Sequence, residues 1–259
     1  MPHENWWETF YDEGFAAAIM DADADARSQR EADFLVEALH LEPGARVFDQ
    51  CCGIGRLSLV LARRGFSVVG VDAIPAYVAH AQTACAAEHH DAEFHAGDAR
   101  EFVPARSCAG AFNAWSSFGY LQNDAENARM LSSAFCAIRP GGRFVLDYFG
   151  VAALLRSFRE VAQFQYSGRA GSTAVTRRSR LNLHGGLLEQ TWEYRTADGT
   201  LHTKQSCTKL YLPHDLVRLL EGAGFRVVGL HGSLAFSPLT LESPRCVVVA
   251  ERPDRIPAD

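Results

Sequence analysis

A chain of 259 residues, 47% of them hydrophobic, can bury one substantial core or one core with a small appendage, and a net charge of −6 argues against a nucleic-acid backbone as its main partner, since phosphate binding leaves a basic surface. Seven cysteines make an odd set without a Cys-x-x-Cys pair, which indicates neither a disulfide framework nor a zinc knuckle and fits a reducing, cytoplasmic compartment. The start MPHENWWETF lacks the basic and apolar regions of a signal peptide and no apolar run reaches spanning length, so no membrane partner is expected.

The first element is aromatic: Trp6, Trp7, Phe10, Tyr11 and Phe15 fit an amphipathic helix laid on a sheet, and an acidic stretch with Asp21, Asp23 and Asp25 follows. Residues 46 to 72 then read as strand, glycine turn, helix, strand, with Asp49 and Asp72 closing the two strands. Arg46 to Gln50 is a short apolar run, and Leu57, Val60, Leu61 and Arg64 fall at helical spacing. Ser67 to Val71 is a run dominated by β-branched Val68, Val69 and Val71, as in a strand buried on both faces of a parallel sheet. Gly53 and Gly55 permit torsions and a close ligand approach that a Cβ would forbid, so this is a nucleotide-type half-site. A dinucleotide fingerprint would place a third glycine at the position of Ser58, which disfavours a NAD or FAD diphosphate.

Pro75 to Glu88 is a helix with proline in its first turn, and Ala92 to His95 is a third strand leading to Gly97-Asp98-Ala99. Gly110 to Trp115 is strand four, with the turn Ser116-Ser117-Phe118-Gly119-Tyr120 at its ligand-facing end. A helix over Asp124 to Ile138 and the turn Arg139-Pro140-Gly141-Gly142 lead into strand five, Arg143 to Asp147. From Val151 to Leu212, period-2 segments replace β-α alternation. Strands at Ser172 to Leu183, Leu187 to Arg195 and Leu201 to Tyr211, joined by His184-Gly185-Gly186 and Ala197-Asp198-Gly199, form an antiparallel insertion over the site. Within it, Arg177, Arg178 and Arg180 read as a solvated strand face. Pro213 to Gly222 is a helix, and Arg226 to Leu230 with Cys246 to Glu251 completes a seven-stranded sheet with one antiparallel edge.

The glycine turn, preceded by Asp49 and the pair Cys51-Cys52 and followed by Asp72 seventeen residues after Gly55, resembles motif I of class I S-adenosylmethionine-dependent methyltransferases. The Pro-Gly-Gly turn before strand five is a further mark of that family, and the segment from Trp115 to Tyr120 resembles small-molecule N-methyltransferases of secondary metabolism, of the lincosamide antibiotic and amino-sugar types. The resemblance implies an α/β, Rossmann-like seven-stranded sheet with an antiparallel β insertion after strand five. It divides the chain into lid helices and cofactor-binding core (1–150), substrate lid (151–212), the end of the core (213–253) and a tail (254–259).

By the same resemblance the cofactor is S-adenosyl-L-methionine, held by Asp49, Cys51, Cys52, Gly53 and Gly55 around its methionine part, Asp72 and Ala73 at the ribose, Asp98 and Ala99 at the adenine, and Trp115 after strand four. Tyr11 belongs to a lid over the methionine part, and Arg30 is a candidate either for its carboxylate or for surface pairing with Glu31 or Asp33. Tyr11, Phe118 and Tyr120 are the candidate catalytic residues, in a site that takes a small-molecule amine. The amino-sugar enzymes tend to carry a histidine where this chain has Tyr120, so no general base is assigned there. An amine needs none, because its neutral form attacks and an apolar pocket lowers its pKa. An oxygen or carbon acceptor, and a binding module without turnover, remain alternatives; a carboxylate or histidine near the methyl would favour oxygen. His184 and His202 are candidates for substrate contact, whereas His89, His90, Asp91, Glu93 and His95 lack zinc spacing and no metal is expected. Oligomeric state, a homo-oligomer included, is left open.

Overall fold

The computed structural model describes residues 5–20, 24–168, 171–196 and 199–254. Asp21, Asp23, Ala197 and Asp198, which the sequence places in an acidic stretch and a hairpin turn, and tail residues 255–259 lie outside them. Eleven strands form two sheets among the described residues. In the first, β1 (Arg46–Gln50), β2 (Ser67–Asp72), β3 (Ala92–Ala96), β4 (Cys108–Asn113), β5 (Ile138–Phe149), β10 (Arg226–His231) and β11 (Arg245–Glu251) run in the order β10-β11-β5-β4-β1-β2-β3. All neighbours are parallel except β10–β11 and β11–β5, so the expected antiparallel strand is present but is β11, one place in from the edge that β10 forms.

Alternation explains why the strand cores are apolar throughout. Phe48, Val69, Phe144, Leu146 and Val248 enter one core, with Leu131 and Leu216 from α6 (Asp124–Ala137) and α8 (Pro213–Gly222). Val47, Val68, Phe112, Val145 and Val247 enter the other, with Leu35 from α3 (Ala24–Ala38) and Leu61 from α4 (Arg56–Arg63). Helices on both faces leave no solvated side, so the period-2 signal vanishes into continuous hydrophobic runs.

The second sheet has the order β6-β7-β8-β9, all antiparallel: β6 (Val161–Gly168), β7 (Gly171–Asn182), β8 (Leu187–Arg195) and β9 (Leu201–Lys209). Three strands were expected; β6 is the addition, its exposed Val161, Gln163 and Gln165 alternating with half-buried Ala162, Phe164 and Tyr166. The N-terminal aromatics pack on this sheet rather than on the large one. Around α1 (Trp7–Phe10) and α2 (Glu13–Phe15), Trp6, Phe10 and Phe15 join Val175, Leu187, Tyr194 and Cys207 in a third cluster. Lys204 pins this contact by donating to the Asp12 carboxylate and to the Thr9 carbonyl.

Candidate active site

At the C-terminal ends of the parallel strands lies a cavity of about 1140 Å³, walled by the loops after β1 to β5, the N-terminal segment and the second sheet. Ligand pockets run to roughly 300–1,000 Å³, so one cofactor and an acceptor together suit this space better than a single small ligand.

The floor is the glycine turn. Cys51 stands at φ 64° and Gly53 at φ 56°, and the turn is tied down where the Cys52 amide donates to the Val71 carbonyl at 2.9 Å. Asp72 closes β2 with its two oxygens separately engaged: Oδ2 accepts from the Gly53 amide at 2.8 Å and Oδ1 from the Ile74 amide at 2.9 Å. Each oxygen keeps a lone pair toward a ligand hydroxyl. Burial pushes the Asp72 carboxyl above its usual range, against those amide bonds. Asp49, lower in the turn, accepts from Ser58 Oγ at 2.6 Å, and burial raises its carboxyl to about 7. Ser58 at the third-glycine position thus caps a buried acid. Burial likewise lifts both the Cys51 and Cys52 thiols well above their ordinary range, which keeps them un-ionised walls. At the adenine end, burial alone would raise Asp98, but Arg100 clasps it through Nε and Nη2 and holds it lowered. Ala73 and Ala99 line the same stretch.

Beyond β4 the chain turns sharply. Trp115 and Ser116 both adopt left-handed torsions, φ 63° and 62°, a strain of about 1–3 kcal/mol per residue that the surroundings must hold. They are held by buried Asp147, whose Oδ2 accepts from the Trp115 amide at 2.8 Å and whose carbonyl accepts from the Ser116 amide at 3.0 Å. Strand four therefore ends at Asn113, two residues short of the expected Trp115. The Trp115 indole donates to Glu31 at 3.1 Å and lies under Arg27, Arg56 and Arg245, with guanidinium carbons 4.4, 5.2 and 5.3 Å from its ring centre. Arg56 pairs with Glu31 at 2.7 Å, and Arg245 grips Asp147 through Nε at 2.7 Å. At the lid, the Tyr11 and Tyr120 hydroxyls meet at 2.6 Å, their rings stacked within 19° of parallel. Burial raises Tyr11 to about 12 and Tyr120 well above its ordinary value, so both remain phenols.

Three expected site residues stand elsewhere. Phe118 is fully buried against Tyr148 and Tyr211, because Gly119 at φ 84° turns its ring into the core and leaves Tyr120 at the cavity. Arg30 is exposed on α3, and Arg27, one turn earlier, lines the cavity instead. Gly55 does not wall the cavity; its missing Cβ makes room for α5 (Pro75–Ala87), since a Cβ there would stand 2.6 Å from that of Ala81. His184 is exposed and His202 stacks on Tyr194, so neither lines the cavity. Sequence reasoning passed over Gln50, Asn113 and Asp147, yet Gln50 and Asn113 each close an apolar strand and Asp147 stands two residues before the end of another. Asn113 donates to Gln50 at 3.3 Å and to the Cys51 sulfur at 3.6 Å, which braces the turn from below. Among the described residues no group of three or more His, Cys, Asp or Glu side chains is placed to hold a metal, and no helix is long and apolar enough to cross a membrane.

An acid-tipped glycine turn under a seven-stranded sheet of this order, opening into an apolar cavity, defines a class I S-adenosylmethionine-dependent methyltransferase fold. Residues 47–142 match the methyltransferase domain family, and S-adenosylmethionine is the cofactor of such a domain. The chain is 32% identical over 127 residues to the S-adenosyl-L-methionine-dependent Diels-Alderase iccD of Talaromyces variabilis, a match covering 47% of this chain and 42% of that one. It spans less than half the length of the curated relatives it matches. Among solved structures it is similar to the CcbJ methyltransferase of Streptomyces caelestis, with TM-score 0.77 at 17% identity over 94% of this chain and 100% of that one. It is also similar to CalS10, an amino pentose methyltransferase of Micromonospora echinaspora with S-adenosylmethionine bound, with TM-score 0.67 at 22% identity over 88% and 90% of the two chains.

The residues present suit this cofactor. Asp72 offers two carboxylate oxygens, Gly53 removes bulk beside it, and Asp98 and Ala99 line the far end, all in one connected cavity. When bound, S-adenosylmethionine supplies a methyl group made electrophilic by a sulfonium centre.

Proposed function

We propose that this protein transfers a methyl group from S-adenosylmethionine to an amine nitrogen of a small molecule in antibiotic or other specialised metabolism. The observation that carries the nitrogen assignment is the chemistry of the lid. No histidine lines the cavity among the described residues, and the two acids outside its cofactor half, Glu8 and Glu242, are engaged by Asn5 and Arg156. Tyr11 and Tyr120, held as phenols, donate and accept hydrogen bonds but supply no base. An amine needs none: its lone pair forms the new N–C bond as the S–C bond breaks, and the ammonium proton passes to bulk water once the product leaves the cavity. That CcbJ is a methyltransferase and CalS10 an amino pentose methyltransferase of calicheamicin biosynthesis supports the same reading.

The chain's own part is to hold and to dry. Asp72 takes the ribose hydroxyls, Asp98 and Ala99 the adenine, and Cys51, Cys52, Gly53 and Ala73 close the wall around the rest. Asp49 and Gly55 act from behind, by fixing the turn. Trp115 and Arg27 stand at the end where the methionine carboxylate comes to rest. Trp6, Trp7, Tyr11 and Tyr120 keep water from the acceptor, and aromatic faces attract a sulfonium by about 0.5–2 kcal/mol. The Tyr11–Tyr120 hydroxyl pair orients the amine; positioning of this kind is worth up to roughly 7–11 kcal/mol of a bimolecular barrier. Incubation with methyl-labelled cofactor and matched panels of amines and phenols, followed by mass spectrometry that locates the added carbon, tests the assignment. Label on nitrogen is expected. Label confined to oxygen or carbon would overturn the acceptor class, and conversion of a substrate without added mass would replace methyl transfer itself.

A further inference from the structure

Resting on the methyl-transfer reading, we propose that the acceptor carries an oxyanion, a carboxylate or phosphate, and that Arg177 and Trp192 of the second sheet bind it. Expected as part of a solvated strand face, Arg177 instead points the other way from exposed Arg178 and Arg180, as strand alternation requires, and lines the cavity. It is the direct cross-strand partner of Trp192, which also lines the cavity. The guanidinium carbon lies 4.4 Å from the centre of the Phe164 ring and 5.3 Å from that of Trp192, so the planar fork is fixed before any ligand arrives.

This arginine differs from its neighbours in having no acid. Arg27, Arg56, Arg100 and Arg245 of the same cavity each face a carboxylate, on Glu31, Asp98 or Asp147, whereas no carboxylate lies within 4.0 Å of Arg177 among the described residues. Its Nε and the Trp192 Nε1 are shut off from solvent and have no hydrogen-bond partner there. Burial disfavours the Arg177 charge and lowers its pKa, with the Tyr166 phenol opposing this. An oxyanion seated against the guanidinium and the indole gives a charged partner to side chains whose buried donors have none among the described residues. The next rung is polar too: Gln190 donates to Ser179 Oγ at 3.0 Å and is paired across the sheet with Ser206. A single ring, Phe10, joins Trp192 to Tyr11, with centres 5.7 and 4.9 Å apart, so one small molecule reaches from this anchor to the tyrosine pair.

The test is calorimetric, on protein saturated with S-adenosylhomocysteine, with phenylacetate and phenyl phosphate as anionic probes and phenylacetamide as the neutral one. At least one anion should bind tenfold or more tighter than phenylacetamide, and the stronger of the two identifies the oxyanion. Arg177→Gln should abolish that preference, Arg177→Lys should keep part of it, and Trp192→Phe should weaken it several-fold, all with S-adenosylhomocysteine affinity within about twofold of the parent. Equal affinity for charged and neutral probes, no anion binding, or a preference that survives Arg177→Gln would overturn the proposal. Failure to bind S-adenosylhomocysteine at all would defeat the methyl-transfer reading instead, so the two failures are distinguishable.

Discussion

Asp72→Asn separates what the carboxylate does for the ligand from what it does for the fold. In the wild-type chain the two oxygens accept from the Gly53 and Ile74 amides at 2.8 and 2.9 Å, leaving one lone pair on each for a ribose hydroxyl. Asparagine retains one acceptor oxygen and turns an NH₂ toward the other amide, which strands that donor at about 1–3 kcal/mol. Opposing this, burial disfavours the wild-type charge, so its removal returns part of the loss, and stability should move by no more than about 2 kcal/mol. For the cofactor there is no such offset. Hydrogen bonds to a charged acceptor are worth about 1.5–3 kcal/mol, so losing even one lowers affinity for S-adenosylmethionine by ten-fold or more, about 1.4 kcal/mol. Titration calorimetry gives the affinity, and urea unfolding without ligand gives the stability. Unchanged affinity in a folded variant would remove Asp72 from the site; an equal collapse of both would reduce it to a structural residue.

Asp49→Asn should flatten the pH dependence of stability. Because the Asp49 carboxyl titrates near 7 when folded against an ordinary value of 3.8, the native state binds the extra proton between these values, so stability is present below about pH 4 and lost as pH rises through 7. Relative to the variant, the wild type should lose about 2–3 kcal/mol between pH 5 and pH 8 in urea unfolding, and parallel profiles would contradict the assignment. Gly55→Ala should cost more than Gly44→Ala: both positions have positive φ, 78° and 77°, but only at Gly55 does the new Cβ also meet Ala81 at 2.6 Å. The shared torsional cost is about 1–2 kcal/mol and overpacking adds about 1–3, which thermal unfolding resolves. Tyr11→Phe and Tyr120→Phe should each lower kcat about ten-fold or more. The double variant should fall well short of the product, because the two hydroxyls act as one pair; multiplicative losses in single-turnover rates would separate them.

How much of this was legible depended on whether one element or two had to agree. The core strands, the glycine turn and Asp72 are local: β1 and α4 follow the predicted bounds within a residue, and the acid closes its own strand. Phe118 was misjudged because side-chain direction in a turn follows torsions, and only the left-handed Gly119 shows that neighbouring Phe118 and Tyr120 face opposite ways. Arg30 and Arg27 lie on one helix, and nothing local distinguishes the arginine above Trp115 from the one in solvent.

The same reasoning explains why the lid was the hardest part to read and yet decides specificity. The N-terminal aromatics look like any amphipathic segment, and the second sheet like any antiparallel one. Only their mutual packing, Phe10 against Trp192 and Phe15 against Tyr194, makes a roof for the cofactor cavity. The cofactor half is fixed by local backbone, while the roof is built from side chains of segments far apart in the chain. On the proposed reading acceptor choice rests on Tyr120, Arg177 and Trp192, which come from three separate segments and line one cavity in the folded chain.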